Sequence, residues 1–104
     1  MRALPRITTT IEREFLAAII ARTKKIEYRE LKPYWTNRLS KVRPPFELRL
    51  INGMRAHAPE VTVVIGKVRT NRRAGEYELH ISRVRSFKNW DKKKQQPTRQ
   101  GGRR

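Results

Sequence analysis

The sequence predicts an α+β domain that is mainly β: a small β-barrel of about five to six strands, with one main helix between the first two strands and a short second helix. Three observations predict it. Several separate segments alternate apolar and polar residues with the period of a strand. One stripe, Ile11, Phe15 and Ile19, repeats every four residues as a helix requires. The chain has 104 residues, room for one domain with a modest core. Many short strands with few helices suit a barrel.

Ile7, Thr9 and Ile11 alternate among β-branched neighbours and predict the first strand. The helix follows over about residues 11–22, with Leu16 and Ile20 flanking its stripe. Thr9 and Glu12 have the spacing of a capping box. Glu12 and Glu14 in the first turn and Arg22 in the last suit the helix dipole. Lys25 to Leu31 predicts a second strand, with Ile26 and Tyr28 on one face and Lys25, Glu27 and Arg29 on the other. Pro33 opens a short helix containing Tyr34, Trp35 and Leu39. Pro44-Pro45 is a break. Phe46, Leu48 and Leu50 make a third strand that ends at the turn residues Asn52-Gly53. Arg55 to Pro59 reads as loop. Val61, Val63 and Ile65 make a fourth strand, with a kink or bulge at Gly66. Asn71 to Gly75 is a basic turn, and Tyr77, Leu79 and Ile81 give the cleanest strand alternation in the chain. The domain is thus expected over residues 1–90. From Asp91 onward apolar residues vanish, and 91–104 is expected to be a disordered basic tail.

Lys and Arg number 26 against 9 Asp and Glu, a net charge of +17. A magnitude of about 2–8 suffices to keep a small domain soluble. The excess points to a polyanion, which means nucleic acid, before it points to anionic lipid. There is no cysteine, so disulfides and thiolate metal sites are excluded. No apolar run approaches the roughly 18 residues that span a bilayer, and Met1 to Arg6 is not followed by a signal-peptide core. A cytoplasmic protein without a membrane partner is expected. His57 and His80 stand apart without companion ligands, so no metal and no cofactor are expected. A Gly-rich phosphate loop, a Ser/His/Asp set and an acidic pair for two metal ions are all missing, which argues against a metal-dependent nuclease.

Chemistry concentrates in residues 24–35, Lys-Lys-Ile-Glu-Tyr-Arg-Glu-Leu-Lys-Pro-Tyr-Trp. Lys24 suits a phosphate ligand or an activated amine; a solvated helix-end lysine is the plainer alternative. Glu27 and Arg29 share a strand face, either as an ion pair or with Glu27 as general acid or base. Tyr34 and Trp35 can stack on unpaired bases or pack into the core. Lys25 and Arg38 suit phosphate contacts. So do Arg69, Arg72 and Arg73 at the basic turn, and Lys92, Lys93 and Lys94 in the tail, where affinity would fall with salt.

Residues 22–29, Arg-Thr-Lys-Lys-Ile-Glu-Tyr-Arg, resemble the Gly-x-Lys-x-x-Glu-x-Arg motif of the ASCH domain family, a branch of the PUA-like barrels. Lys24, Glu27 and Arg29 match. Arg22 replaces the glycine, a departure expected to alter the turn. Also similar are Lys32 to Trp35 with Arg38, the strand ending in Asn52-Gly53, Pro59 before the next strand, and a closing strand like Tyr77 to Val84. The resemblance covers about residues 5–86. It implies a PUA-like barrel whose cleft, lined by the motif, binds RNA or nucleotides and in some members hydrolyses them. One branch removes the acetyl group from acetylated cytidine with a Lys and a Thr of the motif region and a Glu elsewhere. Glu27 stands at that Thr here, and a carboxylate cannot take the same nucleophile role unchanged.

The leading expectation is therefore an RNA-binding module, monomeric, using the basic cleft and the tail. RNA is preferred to duplex DNA because no basic recognition helix is visible. The alternative is a metal-independent hydrolase of RNA or a modified nucleoside, with Lys24 and Glu27 as its catalytic groups. A third reading is a basic accessory protein of a ribonucleoprotein, or a phage-type protein that targets a host complex.

Overall fold

The computed structural model describes residues 3–98. Their order is β1 (Arg6–Thr10), α1 (Arg13–Ile20), β2 (Ile26–Glu30), α2 (Pro33–Leu39), β3 (Phe46–Ile51), β4 (Glu60–Asn71), β5 (Glu76–Lys88), β6 (Trp90–Asp91) and β7 (Gln96–Pro97). The fold is α+β and mainly β. Alternation decides which strand face is buried. Phe46, Leu48 and Leu50 of β3, Val61, Val63 and Ile65 of β4 and Leu79 of β5 are fully buried on one face of the sheet. α1 adds Leu16, Ile19 and Ile20 to the same core. Burying each such side chain contributes about 1.5–3 kcal/mol.

β1 to β5 form one sheet in the order β1-β3-β4-β5-β2. β1 pairs with β3 in parallel, and the other pairings are antiparallel. The β4–β5 hairpin is long enough to serve both sides. β3 pairs with β4 over Glu60 to Ile65, and β2 pairs with β5 over Glu76 to His80. Along this hairpin the register shifts three times, between Thr62 and Lys67, leaving Gly66, Ser82 and Arg85 as extra residues. Bulges increase twist and bend the strand, and the sheet curls into a half-barrel. Gly66, where a bulge was expected, sits in the tightest spot: a Cβ there would stand 3.3 Å from the Ser82 Cβ.

The expected barrel is thus not closed by backbone pairing. β1 and β2 remain the two edges of the sheet, and side chains bridge the seam between them. The helix is shorter than residues 11–22. Thr9 belongs to β1, and Glu12 at the N-cap makes no side-chain cap bond, so the capping box does not form. Asn52 ties down this junction, its Nδ2 donating to the Ile11 carbonyl at 2.9 Å. Phe15 drops out of the apolar stripe and is 42% exposed.

The described chain also continues past residue 90. Trp90 is buried, and β6 pairs with β7 as a short hairpin. The hairpin occupies the first part of the segment expected as a disordered tail; residues 99–104 lie outside the described residues. Among the described residues no helix is long and apolar enough to cross a membrane.

Candidate functional site

The seam between β1 and β2 is where the chemistry gathers. β2 has the faces its alternation predicts, but the charged face is the one that turns inward. Glu27 is 4% exposed, whereas Tyr28 on the opposite face is 46% exposed. A buried carboxylate needs partners, and Glu27 has two. Arg29 Nη2 donates to its Oε2 at 2.6 Å, and Lys24 Nζ lies 3.5 Å from its Oε1. The three motif residues therefore meet, as their spacing suggested.

Each cation is held from several sides. Lys24 Nζ donates to the Ile26 carbonyl at 2.7 Å and stands 5.1 Å from the ring centroids of both Phe15 and Tyr28. Arg29 Nη2 also donates to the Thr10 carbonyl on β1 at 2.8 Å, and its guanidinium lies over the Trp35 ring at 5.2 Å. Arg38 of α2 donates to the Thr8 carbonyl at 2.8 Å and to the Tyr34 hydroxyl at 2.7 Å. Two alternate carbonyls of the β1 edge are thus satisfied by guanidinium groups from β2 and α2. Edge carbonyls otherwise invite pairing with another chain. Arg29 and Arg38 do at this seam what a closing strand would do.

Above this network lies an open cleft of about 350 Å³, lined by Thr10, Ile11, Glu12, Phe15, Glu27, Tyr28 and Arg29. Phe15 and Tyr28, the two half-exposed rings beside it, were not singled out from the sequence as site residues. The Phe15 spacing looked like core, and alternation in β2 does not say which face turns inward.

The remaining predicted site residues are spread out. Trp35 is 7% exposed and packs in the core. Arg29 and Arg38 both lie against its ring, so a base cannot stack there without displacing them. Tyr34 is 60% exposed, with its ring edge-to-face on Trp35. Lys25 is exposed beside Lys24. Arg69, Arg72 and Arg73 sit at the distal end of the β4–β5 hairpin. Gly75 there accepts from the Leu31 amide, so this turn lies at the opposite end of β2 from Lys24. Lys92, Lys93 and Lys94 form the exposed turn of the β6–β7 hairpin, with Asp91 accepting from the Lys93 and Lys94 amides. The structure therefore unites Lys24, Glu27, Arg29 and Arg38 and leaves the other basic groups as separate patches.

His80 Nε2 is buried without a hydrogen bond and lies 3.6 Å from Glu78, while His57 is in an exposed loop. Among the described residues no three His, Asp or Glu side chains gather as metal ligands would. Outside the seam, Arg49 binds Glu60 through two hydrogen bonds of 2.8 and 2.9 Å. That contact holds the Glu60 carboxyl below its ordinary range, against the opposing pull of burial. Comparisons with protein-family models and with curated proteins returned no match.

Proposed function

We propose that the protein binds RNA, taking an unpaired base in the seam cleft, and that it is a small ASCH-type, PUA-like domain. One observation carries the reading: Phe15 and Tyr28, each about half exposed, flank Lys24 beside the cleft in a chain of net charge +17. Exposed rings stack on bases of any sequence, and nearby cations neutralise the backbone. Arg22 and Lys25, both exposed beside Lys24, supply that charge. Duplex DNA fits poorly. α1 presents Glu14 with Arg13, and the one basic side chain of α2, Arg38, is committed to Thr8 and Tyr34. Neither helix offers the basic face that enters a major groove. The hydrolase alternative rests on the motif alone. Lys24 Nζ, the Glu27 carboxylate and Arg29 Nη2 are turned to one another and to backbone carbonyls, while Arg29 Nε is buried without a hydrogen bond.

The test is the affinity of the full chain for a single-stranded RNA and for duplex DNA of matched length, at near-physiological salt. RNA is expected to bind more tightly. Tyr28→Ala is expected to cost RNA affinity about tenfold or more, given about 1–3 kcal/mol per stacked base, with the melting temperature nearly unchanged. Equal affinity for the two nucleic acids, indifferent to Tyr28→Ala, overturns the reading.

A further inference from the structure

The outer face of the sheet, away from the seam cleft, carries a second cluster of charge. The register places Arg6 of β1 opposite Glu47 of β3, Glu47 opposite Val64 of β4, and Val64 opposite Arg83 of β5. These four form one row across the sheet. The bulge in β5 adds a fifth member. Arg85, the extra residue between Val84 and Ser86, reaches back so that its Nε lies 2.9 Å from Glu47 Oε2. Arg6 takes the other oxygen, with Nε at 2.9 Å and Nη2 at 2.7 Å from Oε1.

Glu47 is only 5% exposed and both its oxygens are in use. The arginines are not used up. Their side chains are 49% and 51% exposed, and each guanidinium keeps donors beyond those turned to Glu47. Arg83 is exposed, and its side chain makes no hydrogen bond or ion pair among the described residues. A cleft of about 600 Å³ opens here, with Leu4, Pro45 and Val64 as its apolar wall. Glu47 thus acts as an internal post that fixes two guanidinium forks beside a third, free one. Planar forks held this way suit the oxygens of a phosphate.

Formal charge separates this cleft from the one at the seam. Arg6, Arg83 and Arg85 against Glu47 leave a clear positive excess. At the seam, Arg29 stands against Glu27 and Glu12 in the cleft lining and Lys24 is paired with Glu27, so only Arg22 and Lys25, exposed beside it, remain in excess. A polyanion gains more at the outer cleft, whereas a neutral base loses little at the seam. We propose that Arg6, Arg85 and Arg83 form a phosphate-binding site, distinct from the seam, that takes a phosphodiester or a phosphate ester through its charged oxygens. Its occupant in an RNA complex is a backbone phosphate, a role that rests on the RNA reading; affinity for phosphate itself does not.

Two arms keep those failures apart. In the first, tripolyphosphate is titrated into the full chain while arginine side-chain N–H resonances are followed by NMR. Saturable shifts at Arg83 and Arg85 are expected, and they vanish for Arg85 in an Arg83→Glu variant. Absence of shifts, or shifts spread equally over all exposed arginines, overturns the site. In the second arm, Arg83→Glu is compared with Arg55→Glu, an exposed loop cation outside both clefts' charged groups, for RNA binding across a salt series. Arg83→Glu is expected to weaken binding about tenfold and to lower the salt slope by about 0.7 per phosphate lost, while Arg55→Glu changes it less than about threefold. Equal losses in the two variants mean unspecific attraction and overturn the RNA role. Free phosphate shifts without RNA binding would leave the site standing with a small phosphate ester as its ligand.

Discussion

At the residue scale, two positions of the motif carry opposite stability consequences. Glu27 is buried between Arg29 and Lys24. Removing one partner of a buried ion set strands the others, at a cost of about 3–5 kcal/mol. Glu27→Ala is therefore expected to remove about 3–5 kcal/mol, a large share of the about 5–15 kcal/mol that a folded domain has in hand. Adding Arg29→Met to Glu27→Ala should recover part of the loss, because the stranded guanidinium goes; urea unfolding of the single and double variants reads this directly. Arg22 is the converse case. It stands where the resembled motif has glycine, and its φ is 69°, in the left-handed region that glycine favours. Arg22 N–H bonds the Ile19 carbonyl and Thr23 N–H the Ala18 carbonyl, as in a Schellman ending. The left-handed conformation costs a residue with a Cβ about 1 kcal/mol. Arg22→Gly should raise the melting temperature by about 4–8 °C for a domain near this size, and a calorimetric scan showing no rise would sink the reading of strain.

At the element scale, the β3–β4 pairing has its own pH signature. Arg49 on β3 and Glu60 on β4 hold each other across the outer face of the sheet. The Glu60 carboxyl is lowered from 4.5, first by its hydrogen bond to Arg49. A carboxyl lowered on folding adds stability above its unfolded value and loses it as pH falls through the folded one. Wild type should therefore lose stability below about pH 4.5 more steeply than Arg49→Met, whose Glu60 titrates nearer its ordinary value; denaturant midpoints across the acid range check this. These elements show how far the sequence could be read. Strands β3, β4 and β5 were legible because one face of each packs into the apolar core, and that packing writes a period of two into the residues. Lys24, Glu27 and Arg29 were legible as a group because their spacing is local. Burial of the charged face of β2 was not, since alternation is blind to which side turns inward. The Glu47 cluster was hidden for a different reason: it needs the β1–β3 register and a one-residue bulge at Arg85, neither of which is a local property. The β6–β7 hairpin has two residues per strand and a single buried anchor, Trp90, too little pattern to stand out in a basic segment.

At the scale of the whole molecule, net charge decides how salt acts on stability. The nine acids are outnumbered by 26 cations, and most of the described lysines and arginines have no carboxylate within reach. The folded radius of gyration is 14.5 Å, whereas an unfolded chain near this length spreads to about 30 Å. Folding thus crowds like charges together. At about 0.01 M salt the screening length, about 30 Å, exceeds the folded radius, so every cation feels the others; at about 0.15 M it is about 8 Å and repulsion becomes local. If surface ion pairs dominated stability, added salt would lower the melting temperature. With +17 on so small a body, repulsion outweighs exposed pairs, each of which contributes only about 0–1 kcal/mol. The melting temperature should therefore rise with sodium chloride from low to physiological strength and then level off. Under the same conditions RNA affinity should fall, because the unpaired cations that salt relieves are those that release counterions on binding. A melting temperature that fell with salt would mean that the Glu27, Glu47 and Glu60 pairs, not the excess cations, govern the electrostatics of the fold.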